Sequence, residues 1–213
     1  MGAYGYRKAD DLPRLIPVFP LSGVLLLPRA RLPLNIFEPR YLNLVDDALS
    51  GARLIGMVQP VAPATRPDLQ DVGCVGRITS YGETDDGRYL ITLTGICRFR
   101  IRREIEAPTP YRQIEAGFAD FDEDLANQPQ DFTIDRDRLQ ASLARYVEAR
   151  GFRADWSGME GAPTEALVNA LCLMCPFEPE EKQALLEAAN LSERADTLLA
   201  LLDIHGQGGG GLQ

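Results

Sequence analysis

Residues 16–41 read IPVFPLSGVLLLPRARLPLNIFEPRY, one apolar ribbon broken at Pro17, Pro20, Pro28 and Pro33. Proline has no amide hydrogen and a fixed φ, so it marks strand starts, edges and bends rather than the middle of a central ladder. The ribbon is therefore predicted as short extended pieces over 15–19, 24–27 and 32–36. Pieces of that kind curl into a small barrel more readily than they form one flat sheet. The ribbon ends in a helix start. Pro39 suits the first helical position, Glu38 complements the positive end of the helix dipole, and Tyr41, Val45, Ala48 and Leu49 recur at helical spacing, with Gly51 as C-terminal cap. Arg40 alone has no local role, since a cation in the first turn faces the wrong end of the dipole. It predicts either a carboxylate partner across the barrel–helix junction or an exposed contact with a ligand.

Downstream, the β pattern continues. Residues 54–58 form a short apolar run that predicts a buried strand, and 60–71, with three prolines, predicts an exposed loop. Residues 72–81 are strand-like, with Gly73 and Gly76 as bulge positions. Thr84-Asp85-Asp86-Gly87 predicts a hairpin turn, because Asp-Gly supplies positive φ. After it, Tyr89, Ile91, Leu93, Cys97, Phe99 and Ile101 alternate with Thr92, Thr94, Arg98, Arg100 and Arg102, a period of two with one buried face. Residues 111–118 supply a further strand. The acidic segment 120–130 reads as a loop dividing a β-rich half from a helical half.

The helical half carries Leu139, Leu143, Tyr146 and Val147 on one stripe, then a loop around Trp156. Thr164 is the predicted N-cap of a helix ending near Pro176, Pro179 begins another, and Ser192 is the predicted cap of a last one. Residues 1–13 read as a loose lead-in and 206–213 as a flexible glycine tail.

Composition narrows the function. Twenty-two Lys and Arg against 31 Asp and Glu give a formal net charge of −9, which opposes general binding to phosphate backbones and to anionic membranes. The N-terminus has no apolar core of a secretory signal, no stretch is long and apolar enough to span a bilayer, and four cysteines lack a framework spacing. A cytoplasmic protein is expected.

Chemistry-bearing motifs are sparse. Cys172-Leu173-Met174-Cys175 is a C-x-x-C at a helix C-terminus, where the dipole does not favour a thiolate, and zinc would need two more ligands, so packed thiols are expected. Gly206–Gly211 matches G-x-G-x-x-G but neither follows a strand nor opens a helix. The chain contains no G-x-x-x-x-G-K-[ST], and a triad would depend on His205, placed beside the glycine tail where no base is held in geometry. The carboxylates Asp120, Asp122, Glu123 and Asp124 read as a solvated run. Arg98, Arg100 and Arg102 form a comb that is either a basic groove or a solvated face paired with carboxylates.

PVFPL, LLLP and LPLNIFEPRY, followed by GICRFRI at 95–101 and the helical close at 174–177 and 185–202, resemble the Lon substrate-binding domain. This is the N-terminal domain of Lon proteases, and it also occurs alone as a short bacterial protein. The resemblance implies an α+β fold with a PUA-like β pseudo-barrel over 13–120 and a helical bundle over 131–205. It implies a non-catalytic module that binds unfolded or degron-bearing proteins, without cofactor or metal, as a monomer or weak dimer, in a chain without ATPase and protease domains. The residues expected to contact a peptide are Phe19, Leu25, Leu27, Phe37 and Arg40. The PUA-like likeness and the arginine comb leave RNA binding as an alternative; a peptidase is a second, opposed by the missing motifs.

Overall fold

The turn at Thr84–Gly87 forms as its residues dictate: Gly87 takes φ 78° and its N–H donates to the Thr84 carbonyl at 2.9 Å. It joins two long antiparallel strands, β4 (Val72–Glu83) and β5 (Tyr89–Ile105), on which the rest of the sheet is built. The computed structural model describes residues 5–126, 134–152 and 161–207. Near its start β5 also pairs with β2 (Arg31–Ile36), and near its end with β6 (Arg112–Gly117). β6 lies antiparallel to β1 (Leu15–Pro20), β1 runs parallel to β3 (Leu54–Val58), and β3 is antiparallel to β4. Strands β1, β3, β4, β5 and β6 therefore close into a ring, with β2 attached beside the first half of β5.

The parallel β1–β3 pair needs a long crossover, and α1 (Pro39–Ser50) lies within it. This helix buries Tyr41, Leu44, Val45 and Ala48. Strand β2 has one ladder partner among the described residues, and Pro33 deprives it of a donor, which blunts that edge against pairing with another chain.

The apolar run 24–27 is not a strand. Leu25, Leu26 and Leu27 are buried to 2%, 1% and 0% exposure without ladder pairing. Pro28 and a left-handed Arg29 (φ 65°) end the run, and the Leu27 carbonyl lies against β5 at Gly95, where a Cβ would sit 2.0 Å from it. Gly95 thus serves a close backbone approach. Each buried leucine contributes about 1.5–3 kcal/mol through burial alone.

Two other expectations are corrected. The lead-in is fastened: Ala9–Asp11 form a short 3₁₀ turn, Leu12 is buried, and the Ala9 N–H donates to Asp122 at 3.0 Å. The acidic segment stays solvated at Asp120, Asp122 and Glu123 but not at Asp124, and it is not an open loop over 119–125; residues 127–130 lie outside the described residues. Ala119–Leu125 coils into 3₁₀ turns that bury Phe121, Asp124 and Leu125.

The chain divides into two compact units, Met1–Gln128 and Pro129–Gln213. In the second, α5 (Leu191–Gln207) packs against α2 (Arg136–Ala149), α3 (Thr164–Met174) and α4 (Pro179–Glu187). Pro163 occupies the N-cap of α3 and Thr164 is its first helical residue. Asn190, not Ser192, accepts the N–H of Glu193 at the start of α5, at 2.9 Å. That helix includes Gly206 and Gln207. Trp156 and residues 208–213 lie outside the described residues.

His205 is held firmly, against expectation. Nε2 lies 2.7 Å from Glu181 Oε1 and Nδ1 2.8 Å from Arg150 Nη2, and the ring packs against Tyr146 and Phe177. The helix continues past it, so the glycines do not loosen it.

Candidate functional site

A cleft of about 510 Å³ opens on the barrel unit where three separate segments meet. Its size falls within the range of small-ligand sites. The first wall is the start of α1. Pro39 fixes the first helical turn, Tyr41 N–H donates to the Glu38 carbonyl at 2.9 Å, and the Tyr41 ring rests on Phe19 with centroids 4.1 Å apart. Burial raises the Tyr41 hydroxyl pKa above its ordinary value.

The second wall is the loop 59–70, folded back on itself. Pro60 bridges to Leu69, the Val61 N–H donates to Asp68 at 2.8 Å, and the Gln70 N–H donates to Gln59 at 2.9 Å. The third wall is the end of β5, the turn after it, and the start of β6. Here Tyr111 donates to Asp47 Oδ2 at 2.6 Å, and burial with that bond pushes its pKa up to about 12.

Glu104 joins the second wall to the third. Arg112 donates to it through Nε at 3.0 Å and again through Nη2, while Arg66 Nη2 reaches it at 2.7 Å. Arg112 Nη1 also donates to the Pro67 carbonyl at 2.6 Å. Hydrogen bonds from Arg112, then from Arg66, hold the Glu104 carboxyl below its usual range against the opposing effect of burial. Pro20, Pro60, Pro67 and Pro110 supply apolar lining between these charges. The arrangement suits an extended polypeptide: apolar surface for side chains and a fixed set of polar groups at the rim.

Of the residues expected to contact a peptide, Arg40 lines this cleft and Phe19 supports its floor from beneath. Leu25 and Leu27 are barrel core and present no surface. Phe37 is 62% exposed but outside the cleft, beside β2. Among the described residues Arg40 has no buried partner across the junction. It pairs with Glu38 two residues earlier at 2.8 Å, both side chains about half exposed, and its guanidinium lies 4.5 Å above the Tyr41 ring. Tyr41, Arg66, Glu104, Tyr111 and Arg112 were not anticipated; the signal that could have flagged Arg66 is the proline-rich loop around it.

The arginine comb is not a basic groove. Arg98 is buried and clamped to Asp124, Arg100 pairs with Asp120 at 3.1 Å, and the Arg102 side chain lies over Gly117. Arg98 and Arg100 thus pair with carboxylates, and Arg98 is out of solvent because the 119–125 segment covers it. Cys172 and Cys175 are buried, and desolvation pushes their thiol pKa values up to about 12 and about 11. Among the described residues no group of three His, Cys, Asp or Glu is placed to hold a metal, and no helix is long and apolar enough to cross a membrane.

A small closed barrel with a proline- and tyrosine-lined cleft, followed by a helical unit, defines an α+β fold. The particular family is shown by comparison. The model of the ATP-dependent protease La (LON) substrate-binding domain matches residues 15–203, and the chain belongs to that family. It is 32% identical to a Lon protease of Desulfosudis oleivorans over 87% of this chain and 23% of that one. It is 25% identical to one of Dictyoglomus thermophilum over 88% and 24%. The chain thus spans about a quarter of the length of these curated relatives. Among solved structures, a Lon N-terminal domain protein from Xanthomonas campestris shares the fold at TM-score 0.60 and 22% identity, over 87% of this chain and 97% of that one. The N-terminal domain of a Mycobacterium avium complex Lon protease does so at 0.58 and 17%, over 90% and 99%.

Proposed function

We propose that this chain is a non-catalytic polypeptide-binding module of the cytoplasm, which holds extended segments of unfolded or degron-bearing proteins in the cleft between α1, the 59–70 loop and the β5–β6 turn. The observation that carries the reading is the cleft itself, in a chain that belongs to the LON substrate-binding domain family. Side chains rather than a strand edge make the contact, since Pro33 blunts β2 and the half of β4 that β3 does not reach contributes nothing to the cleft lining. RNA binding is disfavoured by the burial of Arg98, the pairing of Arg100 and the net charge of −9. On this reading the purified protein neither hydrolyses ATP nor cleaves casein.

Binding is tested by titrating fluorescein-labelled unfolded casein and reading anisotropy. Thr65 is exposed on the 59–70 loop and lines the cleft. Thr65→Trp fills that space and is expected to weaken binding by about tenfold or more, with the unfolding midpoint unchanged. Casein binding that is equal in wild type and Thr65→Trp places the contact elsewhere and overturns the reading.

A further inference from the structure

The charges in the cleft are unlike those of the chain as a whole. The net charge is −9, yet the lining carries Arg40, Arg66 and Arg112 against Glu104 and Glu106. Arg112 is fully committed, to both oxygens of Glu104 and to the Pro67 carbonyl. Arg66 is not. Its side chain is 71% exposed, and its one hydrogen bond runs through Nη2 to Glu104 Oε1, an oxygen that also accepts from Arg112 Nε. Among the described residues the Nε–H and the Nη1 donors of Arg66 are unused. Arg40, on a different wall, engages Glu38 through Nε and Nη2 and, among the described residues, leaves Nη1 without a partner.

Both guanidiniums are nonetheless positioned. Pro67 restricts the backbone of Arg66, Glu104 fixes the end of its side chain, and the Tyr41 ring supports Arg40. Two ordered guanidiniums with spare N–H donors are what a carboxylate binds well, because each of its oxygens finds a donor and little side-chain entropy remains to be lost. We infer that the cleft reads a carboxylate on the polypeptide it holds, with Arg66 and Arg40 receiving it. The inference rests on the polypeptide-binding reading above and names the chemistry selected. The carboxylate is either the chain terminus or an Asp or Glu side chain, and both present the same planar pair of oxygens.

Three forms of one fluorescein-labelled, apolar ten-residue peptide separate these sources: a free C-terminal carboxylate, a C-terminal amide, and the amide with one internal aspartate. At low salt at least one carboxylate form is expected to bind about three- to tenfold more tightly than the amide, with the gap narrowing as salt is raised. A gap confined to the free terminus assigns the terminus, and a gap confined to the aspartate form assigns the side chain. In the Arg40→Ala/Arg66→Ala double variant the three forms are expected to bind alike, and Arg66→Lys to restore only part of the gap. Circular dichroism confirms that the variants are folded. Three forms that bind equally to the wild type overturn the carboxylate inference and leave the polypeptide reading standing. If neither the peptides nor unfolded casein bind, both fall.

Discussion

Arg98 and Asp124 face each other in the barrel unit with side chains 3% and 7% exposed, joined by Nε–Oδ2 at 2.9 Å and Nη2–Oδ1 at 3.0 Å. The Arg98 backbone N–H donates to the same carboxylate at 2.9 Å, and the guanidinium lies 4.6 Å above the Phe121 ring. One carboxylate thereby fastens the 119–125 segment to β5. Removing either partner strands a buried charge. Asp124→Ala and Arg98→Ala are each expected to lower stability by about 3–5 kcal/mol, while Arg98→Met/Asp124→Leu costs less than either single change. Equilibrium urea unfolding of the four proteins measures this, and a double variant as unstable as the worse single one contradicts it.

Arg40 is the opposite case. Its pair with Glu38 is local and about half exposed, so Arg40→Ala is expected to shift stability by less than about 1 kcal/mol. A midpoint loss equivalent to 2 kcal/mol or more in urea would reveal a partner that the geometry does not contain.

Glu104 gives a pH dependence whose direction is fixed. Its pKa in the fold lies below the unfolded value of 4.5, so its ion pairs stabilise above about pH 4.5 and that stabilisation is lost as pH falls through the lower folded value. Asp11, Asp86 and Asp203 are depressed likewise, from an unfolded value of 3.8, so their contribution is present above about pH 3.8 and lost below it. Glu104→Gln is expected to cost about 1–2 kcal/mol at pH 7, a range reduced for the 29% exposure of the side chain, and to flatten the acid limb. Thermal unfolding between pH 3 and pH 7 reads both effects. Wild type and variant that diverge further as pH falls run against the assigned sign.

The four thiols are all buried. With Cys172 and Cys175 pushed up to about 12 and about 11, and Cys97 raised as well, thiolate is scarce at neutral pH. Iodoacetamide is therefore expected to label the native protein only as fast as it opens, and to label it fully in urea. Mass spectrometry of a labelling time course decides the matter: a thiol alkylated within minutes under native conditions is not packed as described.

The strands that alternate and the turn built on Asp-Gly were legible because both signals are local. The run 24–27 reads as a strand only because it is apolar; three leucines can be buried without a ladder when a glycine on the neighbouring strand admits their backbone. Arg98 sits at an alternating position that reads as solvent-facing, and only the distant Asp124 explains why it is inside. His205 was misplaced by the glycines after it, although the helix runs two residues beyond. The cleft was largely hidden. Arg40 stands out in the sequence for want of a local partner, yet it has one beside it in Glu38, and Arg66, Glu104 and Arg112 become neighbours only once the 59–70 loop, β5 and β6 are assembled.

The ring closes on itself late. Leu15 pairs with Glu115, so β1, made before the other five described strands, finds its second partner only after β6 has been made. At about 5–20 residues per second, that wait is on the order of ten seconds, during which an apolar strand has an unsealed side. A transcript or translation product cut short ahead of Gly117 never seals it. Such a fragment is itself the kind of sticky, half-built polypeptide that cellular quality control clears.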